Sequence, residues 1–348
     1  MKRSEEFFKG CLIGGAIGDA LGWTVEFFML EEIKKKFGEG GIQDLMLTSS
    51  GKAEITDDTQ MTLFTAEGIL RAETRGNRKG ICDPASTVYY AYERWLHTQG
   101  YTKVPEYDWI YDGFLLQVNE LYAQRAPGMT CLTSLSSRKQ GTIETPINNS
   151  KGCGGIMRVA PAGLFYSRER AFDLAAQFAA ITHGHPSGYL SAGALAYLIA
   201  SLIEGQDLES ATEDTAKVLK RYEGHEECTL KLKEALNLSR SNIADIAAIQ
   251  QLGEGWVGEE ALGISVYCAL KHRNDFKKAL IAAVNHNGDS DSTGAITGNI
   301  LGAFLGMKGI PNTWVEKVEL KEVTLEIAGD LLVGYKDGEE WWERYPGY

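Results

Sequence analysis

Cysteine pairing is the first thing this sequence lacks. Cys11, Cys82, Cys131, Cys153, Cys228 and Cys268 are scattered with no Cys-x-x-Cys spacing, which disfavours a disulfide frame or a thiolate zinc site and fits free thiols in a reducing compartment. Proline is also scarce, at 8 of 348 residues. No proline-rich linker or composition shift marks a boundary, so one domain over 1–348 is expected, with 336–348 as a peripheral tail. Positive charge is in deficit, with a formal net charge of -12. That balance argues against a broad nucleic-acid surface and leaves room for a negatively charged small ligand held by local donors. The longest apolar run, residues 190–203, is too short and too rich in Ser and Ala for a bilayer span, and reads as a core helix. The opening Met-Lys-Arg-Ser-Glu-Glu is unlike a secretory signal. The expected setting is therefore the cytoplasm, with the chain a monomer away from membranes and nucleic acid.

Valine-rich alternation is missing as well, which removes the usual mark of a sheet. Helical periodicity takes its place over 7–21, 60–71, 84–96, 113–124, 168–181, 187–203, 208–222, 227–238, 242–250, 259–270, 276–284 and 295–305. The fold class is accordingly all-α. No fixed-period repeat points to a solenoid. In the first helix, Gly14, Ala16, Gly18 and Ala20 offer a small-residue surface for close packing. Asp19 is out of place on that surface unless it is bonded. Between 127 and 158 the periodicity dissolves, ending in Asn148-Asn149-Ser150-Lys151-Gly152-Cys153-Gly154-Gly155. Irregular stretches of this length inside compact proteins are often functional, and adjacent glycines free backbone N–H groups to cradle a phosphate. A plain surface loop is the competing reading. The Gly-Lys-Ser/Thr ending of a P-loop is absent.

Two acidic clusters stand at helix entrances. Gly288-Asp289-Ser290-Asp291-Ser292-Thr293-Gly294 precedes the apolar run 295–305, and Thr56-Asp57-Asp58-Thr59 precedes another. One N-cap explains one carboxylate and leaves its neighbour without a role. A calcium-binding hand is excluded, because Ile300 occupies the position where that loop needs a bidentate Glu. Asp57, Asp58, Asp289 and Asp291 could instead surround two magnesium- or manganese-class ions through oxygen alone, with Thr56 and Ser292 adding hydroxyls. Ser290 and Thr293 are left to cap or pack. Glu26, among Trp23, Phe27 and Phe28, is either exposed on a loop or committed to a polar site.

The remaining polar interruptions carry less. His183 and His185 are two apart and share no helix face. His183 is suited to a phosphate or ribose contact and His185 to a helix cap. His286 either joins Asp289 or ends its helix. Cys153 as a nucleophile has no basic partner in the pattern, and Arg158 is open to an internal ion pair or a phosphate.

Gly14-Gly15-Ala16-Ile17-Gly18-Asp19-Ala20-Leu21-Gly22, Glu26, Thr56-Asp57-Asp58-Thr59, Gly154-Gly155-Ile156-Met157-Arg158, Thr182-His183 and Gly288-Asp289-Ser290-Asp291-Ser292 follow one another in an order that resembles the ADP-ribosylglycohydrolase family, including the dinitrogenase reductase-activating type. The resemblance implies a single-domain orthogonal helical bundle with two Mg2+ ions, Mn2+ being a substitute, in a cleft. It also implies hydrolysis of the bond between ADP-ribose and a modified acceptor. Carried over residue by residue, Thr56, Asp57, Asp58, Asp289, Asp291 and Ser292 resemble the metal ligands. Glu26 resembles a mobile acid near the ribose, and Glu26, Asp57, Asp58 and Asp289 would carry catalysis. Ser150, Lys151, Gly152, Cys153, Gly154 and Gly155 resemble the diphosphate and ribose cradle, and His183 a ribose or phosphate contact. Ser292 stands where threonine is common, and loses a methyl that restricts its rotamer. Lys151 and Cys153 replace an aromatic residue and an asparagine of some members. The implied partner is an ADP-ribosylated protein or small molecule, with a paired ADP-ribosyltransferase as the opposing enzyme. An arginine linkage is expected first. Serine-linked ADP-ribose, O-acetyl-ADP-ribose, or a non-catalytic ADP-ribose-binding protein of the same fold are the alternatives.

Overall fold

The computed structural model describes residues 2–348. Its α-helices are α1 (Glu5–Trp23), α2 (Leu30–Phe37), α3 (Asp57–Lys79), α4 (Pro84–Thr98), α5 (Met129–Ser136), α6 (Ala160–Phe165), α7 (Arg168–Ala180), α8 (Pro186–Ile203), α9 (Leu208–Leu219), α10 (Glu226–Ser239), α11 (Asp245–Leu252), α12 (Gly258–Lys271), α13 (Phe276–Val284), α14 (Ser290–Leu305), α15 (Asn312–Val315), α16 (Lys321–Val333) and α17 (Glu339–Arg344). Among the described residues there is no sheet, only the isolated bridges Ala53 to Val318 and Gly152 to Val257. The all-α, single-domain reading of the sequence is what the structure has.

At the centre α1 and α14 run antiparallel with backbones nearly touching. A Cβ placed on Gly14 would lie 2.3 Å from Gly298 O, and one on Gly18 2.0 Å from Gly294 O. Gly10 meets Gly302 in the same way, and Gly22 meets Ser290 O. The contact stripe is thus Gly10, Gly14, Gly18 and Gly22, every fourth residue on one helix face. Ala16 and Ala20, expected to share it, are buried without being part of it. This approach aligns the C-terminal end of α1, where Asp19 stands, with the N-terminal turn of α14, where Asp291 stands.

Several elements depart from the pattern read in the sequence. Residues 113–124 form two short 3-10 turns, Phe114–Gln117 and Asn119–Tyr122, instead of a helix. The last apolar helix begins at Ser290, so Asp291 and Ser292 lie in its first turn and Asp289 is its N-cap. The apolar run at 190–203 belongs to the 18-residue α8, which is long and apolar enough to cross a membrane by length and composition. Its residues are 89% buried within the fold, as a core helix against α7 and α6 would be. The tail folds back over α3 and α16: Trp341 Nε1 donates to Thr74 Oγ1 at 3.0 Å, and the Tyr345 hydroxyl donates to Asp330 at 2.6 Å.

Candidate active site

Asp19, Glu26, Asp57, Asp58, Asp289 and Asp291 are each no more than 7% exposed. Three helix ends bring them together. The N-terminus of α3 supplies Asp57 and Asp58, with Thr56 as N-cap accepting from Asp58 N. The N-terminus of α14 supplies Asp291, with Asp289 as N-cap accepting from Ser292 N. The helix ends favour these anions over neutral residues. Gly288 makes the second entrance possible: its φ is +117°, and its Cα packs so closely on Glu254 O that a Cβ would lie 2.0 Å away.

Asp19 ties the two clusters. Its carboxylate accepts from Thr56 N at 3.0 Å, Thr59 N at 3.1 Å and the hydroxyls of both threonines. It thereby holds the start of α3 from a neighbouring helix, and Thr56 Oγ1 also lies 3.3 Å from Asp291 Oδ2. This support role is invisible to any local cap search, because Asp19 is 37 residues from the first group it bonds. Its one trace in the sequence is the charge on an otherwise small, apolar helix.

The cleft itself has a volume of about 280 Å3 and is lined by Glu26, Asp57, Asp58, Asp289, Asp291, Ser292, the 152–154 glycine turn, Met157, His183 and Trp256, with 126 and 128–131 opposite. Gly128 N donates to Asp57 at 3.1 Å, and Cys153 Sγ donates to Asp289 Oδ2 at 2.7 Å. Asp58 Oδ2 and Glu26 Oε2 are buried with no hydrogen-bond partner among the described residues. The carboxylates repel one another. Burial, then Asp291, raises Asp19 to about 7, and burial with Asp291, Asp289, Asp57 and Asp19 raises Glu26 to about 10. Asp57, Asp58 and Asp291 are held well above the usual carboxylate range by burial, with the neighbouring aspartates adding to it. An all-oxygen donor set with unpartnered buried oxygens and no neutralising base fits a hard divalent cation. Among the described residues, however, no three His, Cys, Asp or Glu side chains are already spaced as a ligand set. Asp57 and Asp289 are turned instead to protein donors.

The 150–155 loop is fixed rather than free. Asn148 Oδ1 accepts from Ser150 N, Cys153 N donates to Trp256 O, and Gly152 bridges to Val257. Ser150 Oγ accepts from Gly152 N, so several of the N–H groups expected to face a phosphate are already bonded. Gly152, Cys153 and Gly154 line the cleft, whereas Gly155 packs behind against Ala179 and Gly188. The Lys151 side chain points away, paired with Glu227 at 2.9 Å and Glu259 at 2.5 Å. Burial and the neighbouring Asp289 hold the Cys153 thiol well above its ordinary range, which leaves a nucleophilic role without support.

His183 sits under the glycine turn, where a Cβ on Gly154 would come within 3.0 Å of its ring. Arg158 donates to Thr182 Oγ1 at 2.6 Å, and that hydroxyl lies 2.8 Å from His183 Nδ1. With Thr182 donating to Nδ1, the ring proton is assigned to Nε2, beside Gly152 and Gly154. Burial and Arg158 push His183 down to about 3, so the ring is neutral. Arg158 itself makes no ion pair among the described residues; it stacks over Tyr92, 4.1 Å from the ring centroid. His185 caps α8, accepting from Ser187 N. His286 is bonded to Thr293, and Thr293 to the backbone of α13 and of the α14 entrance, so neither faces the cleft. Sequence reasoning missed Trp256, whose backbone carbonyl staples the loop and whose indole lines the cleft.

Among the described residues the protein is thus a helical bundle without a sheet, with a buried acid cleft beside a glycine-rich loop. The sequence profile of the ADP-ribosylglycohydrolase family matches residues 2–340. The chain belongs to that family, and membership makes it a hydrolase of glycosidic bonds. It is 30% identical to an uncharacterised protein of Archaeoglobus fulgidus, covering 94% of this chain and 96% of the relative. It is 26% identical to the ADP-ribosyl-[dinitrogen reductase] glycohydrolase of Rhodospirillum rubrum, over 90% of each, and 25% identical to the ADP-ribosylarginine hydrolase Tri1 of Pseudomonas putida, over 93% of this chain and 77% of the relative. A solved structure described as an ADP-ribosylglycohydrolase-related protein complex has the same fold, with a TM-score of 0.68 at 23% identity over 96% of this chain and 99% of that one.

Proposed function

We propose that the protein releases ADP-ribose from an ADP-ribosylated arginine side chain, with two Mg2+ ions, or Mn2+ in their place, held by Thr56, Asp57, Asp58, Asp289, Asp291 and Ser292. The observation that carries this reading is the set of six buried carboxylates with Asp58 Oδ2 and Glu26 Oε2 unpartnered. Bound divalent ions supply positive charge that orients ribose hydroxyls and lowers the pKa of an attacking water. Glu26, raised to about 10 by burial and the neighbouring aspartates when no cation is present, would be ionised by the positive charge of bound cations and then accept the water's proton. The rigid helix ends of α3 and α14 fix the ribose so that water adds to the anomeric carbon as the bond from that carbon to the arginine nitrogen breaks, and the proton taken by Glu26 passes to the departing guanidine. His183 Nε2 and Gly154 bind the ribose and phosphate side, the N–H groups of Gly152 and Cys153 being taken by Ser150 Oγ and Trp256 O. Lys151, engaged by Glu227 and Glu259, contributes its backbone to this cradle, through Gly258 N on its carbonyl. A cleft of about 280 Å3 is at the small end for a ligand pocket; it encloses the reacting ribose and leaves the adenosine to extend past Trp256.

The arginine linkage rests on the bacterial relatives, one of which is named for that bond. The test is neutralisation of the acids one at a time. Asp57→Asn, Asp289→Asn and Asp291→Asn should each retain the fold and lower release of free ADP-ribose by about a thousandfold. Undiminished turnover in all three would sink the proposal.

A further inference from the structure

A second cavity, of about 660 Å3, shares no lining residue with the acid cleft. It lies between the C-terminal half of α3, the start of α4, the 3-10 turn Pro105–Ile110 and the segment 346–348. Asp57 and Arg75 mark the two sites on α3, 18 residues and about 27 Å apart. Nothing in the hydrolysis described above uses this region.

The floor of the cavity is cationic and buried. Glu67 takes both Arg71 and Arg94, and Asp112 takes Arg71 at 2.8 Å. Arg71 is 3% exposed and its Nε has no hydrogen-bond partner. Burial and Arg71 push Arg94 down to about 10, a sign of how closely the guanidinium groups crowd. Arg75, one turn beyond Arg71, also lines the cavity and makes no ion pair among the described residues. Arg71 and Arg94 are thus committed to Glu67 and Asp112, whereas Arg75 shares the cavity with Asp83 without an ion pair to it among the described residues.

The walls are aromatic. Tyr90 and Trp109 pack edge to face with centroids 5.2 Å apart, and Trp109 and Tyr348 do so at 6.4 Å. Trp109 is 47% and Tyr348 50% exposed, so ring surface remains uncovered. The 346–348 segment is seated closely, since a Cβ on Gly347 would lie 2.6 Å from Arg75 N. Across the cavity Asp83, whose carboxylate caps α4 by accepting from Ala85 N, Ser86 N and Ser86 Oγ, adds negative charge that disfavours a bare polyphosphate. Uncovered ring faces take a planar base, a spare guanidinium takes a phosphate, and the volume is in the range of small-ligand pockets.

We propose that this cavity is a second ligand site, independent of the acid cleft, that binds a nucleoside phosphate with its base against Trp109 and Tyr90 and its phosphate on Arg75. Arg75 is half-buried with no ion pair among the described residues and Trp109 is largely exposed beside its two ring neighbours, so Arg75→Glu and Trp109→Ala leave folding and turnover unchanged. The probe is AMP, titrated calorimetrically into the full chain in chelator without divalent cations, with adenosine and inorganic phosphate as part-ligands. AMP should bind the wild type and Asp289→Asn alike, and each cavity variant should weaken it about tenfold or more. Adenosine and phosphate should each bind more weakly than AMP. The proposal is overturned if AMP does not bind, if both cavity variants bind it as the wild type does, or if binding is lost in Asp289→Asn and retained in Arg75→Glu.

Discussion

At the scale of single residues, Asp19 decides how the acid floor is assembled. It accepts four hydrogen bonds from Thr56 and Thr59 while being repelled by Asp291. Asp19→Asn would relieve the repulsion but turn an amide N–H2 toward donors, leaving at least one buried N–H or O–H unpaired. The second effect is larger, because an unsatisfied buried donor costs about 1–3 kcal/mol. Asp19→Asn should therefore lower stability by about 2 kcal/mol in chemical denaturation and reduce turnover by displacing the proposed ligands at the start of α3. Stability equal to wild type would show that the Thr56 and Thr59 contacts are dispensable. The candidate ligands themselves were legible as residue types, since paired acids beside hydroxyls are conspicuous in any order. Their support was not, because Asp19 acts across 37 residues and the Lys151 ion pairs depend on how α10 and α12 fold back over the loop.

At the scale of elements, the α1 to α14 contact sets the geometry of the cleft. Alanine normally stabilises a helix interior over glycine by about 1 kcal/mol. Gly76, inside α3 with nothing within 4 Å of its would-be Cβ, should follow that rule, and Gly76→Ala should raise stability by about 0.5–1 kcal/mol. Gly14→Ala should do the opposite. Its Cβ meets Gly298 backbone at 2.3 Å, and backbone cannot step aside as a flexible side chain can, so a loss of about 2 kcal/mol or more is expected. Equal thermal shifts for the two variants would contradict the close helix contact. The helices themselves were readable wherever apolar spacing was regular, as for α13, where the sequence and the structure agree at both ends. Residues 113–124 misled because their aromatic and aliphatic side chains serve short turns under the tail, with Phe114 packed edge-on against Tyr345. The stripe of every fourth glycine could be found only once α14 was known to lie opposite.

At the scale of the whole molecule, the acid cluster couples protonation to stability, and the proposed cation binding would enter the same balance. Asp19 is raised to about 7, above its unfolded value of about 3.9. The metal-free folded state therefore holds more protons than the unfolded state between about pH 4 and 7, and this contribution to stability is lost as pH rises through that window. Asp57, Asp58 and Asp291 act in the same direction. His183, lowered to about 3, works the other way: the unfolded ring gains its proton first, so stability falls as pH drops from about 6.5 toward 3. Divalent ions compete with the carboxyl protons, so Mg2+ should raise the melting temperature more at pH 8 than at pH 5. A shift that is equal at both pH values would argue against carboxylate ligation.

Metal-assisted release of ADP-ribose from arginine is the reaction proposed for this acid floor. It is tested most directly by quantifying free ADP-ribose formed from ADP-ribosyl-arginine, ADP-ribosyl-serine and O-acetyl-ADP-ribose, with Mg2+ and with chelator. Release should require Mg2+ and be fastest from the arginine linkage. Release undiminished in chelator would contradict the metal assignment, and a preference for serine or the acetyl ester would contradict the proposed acceptor.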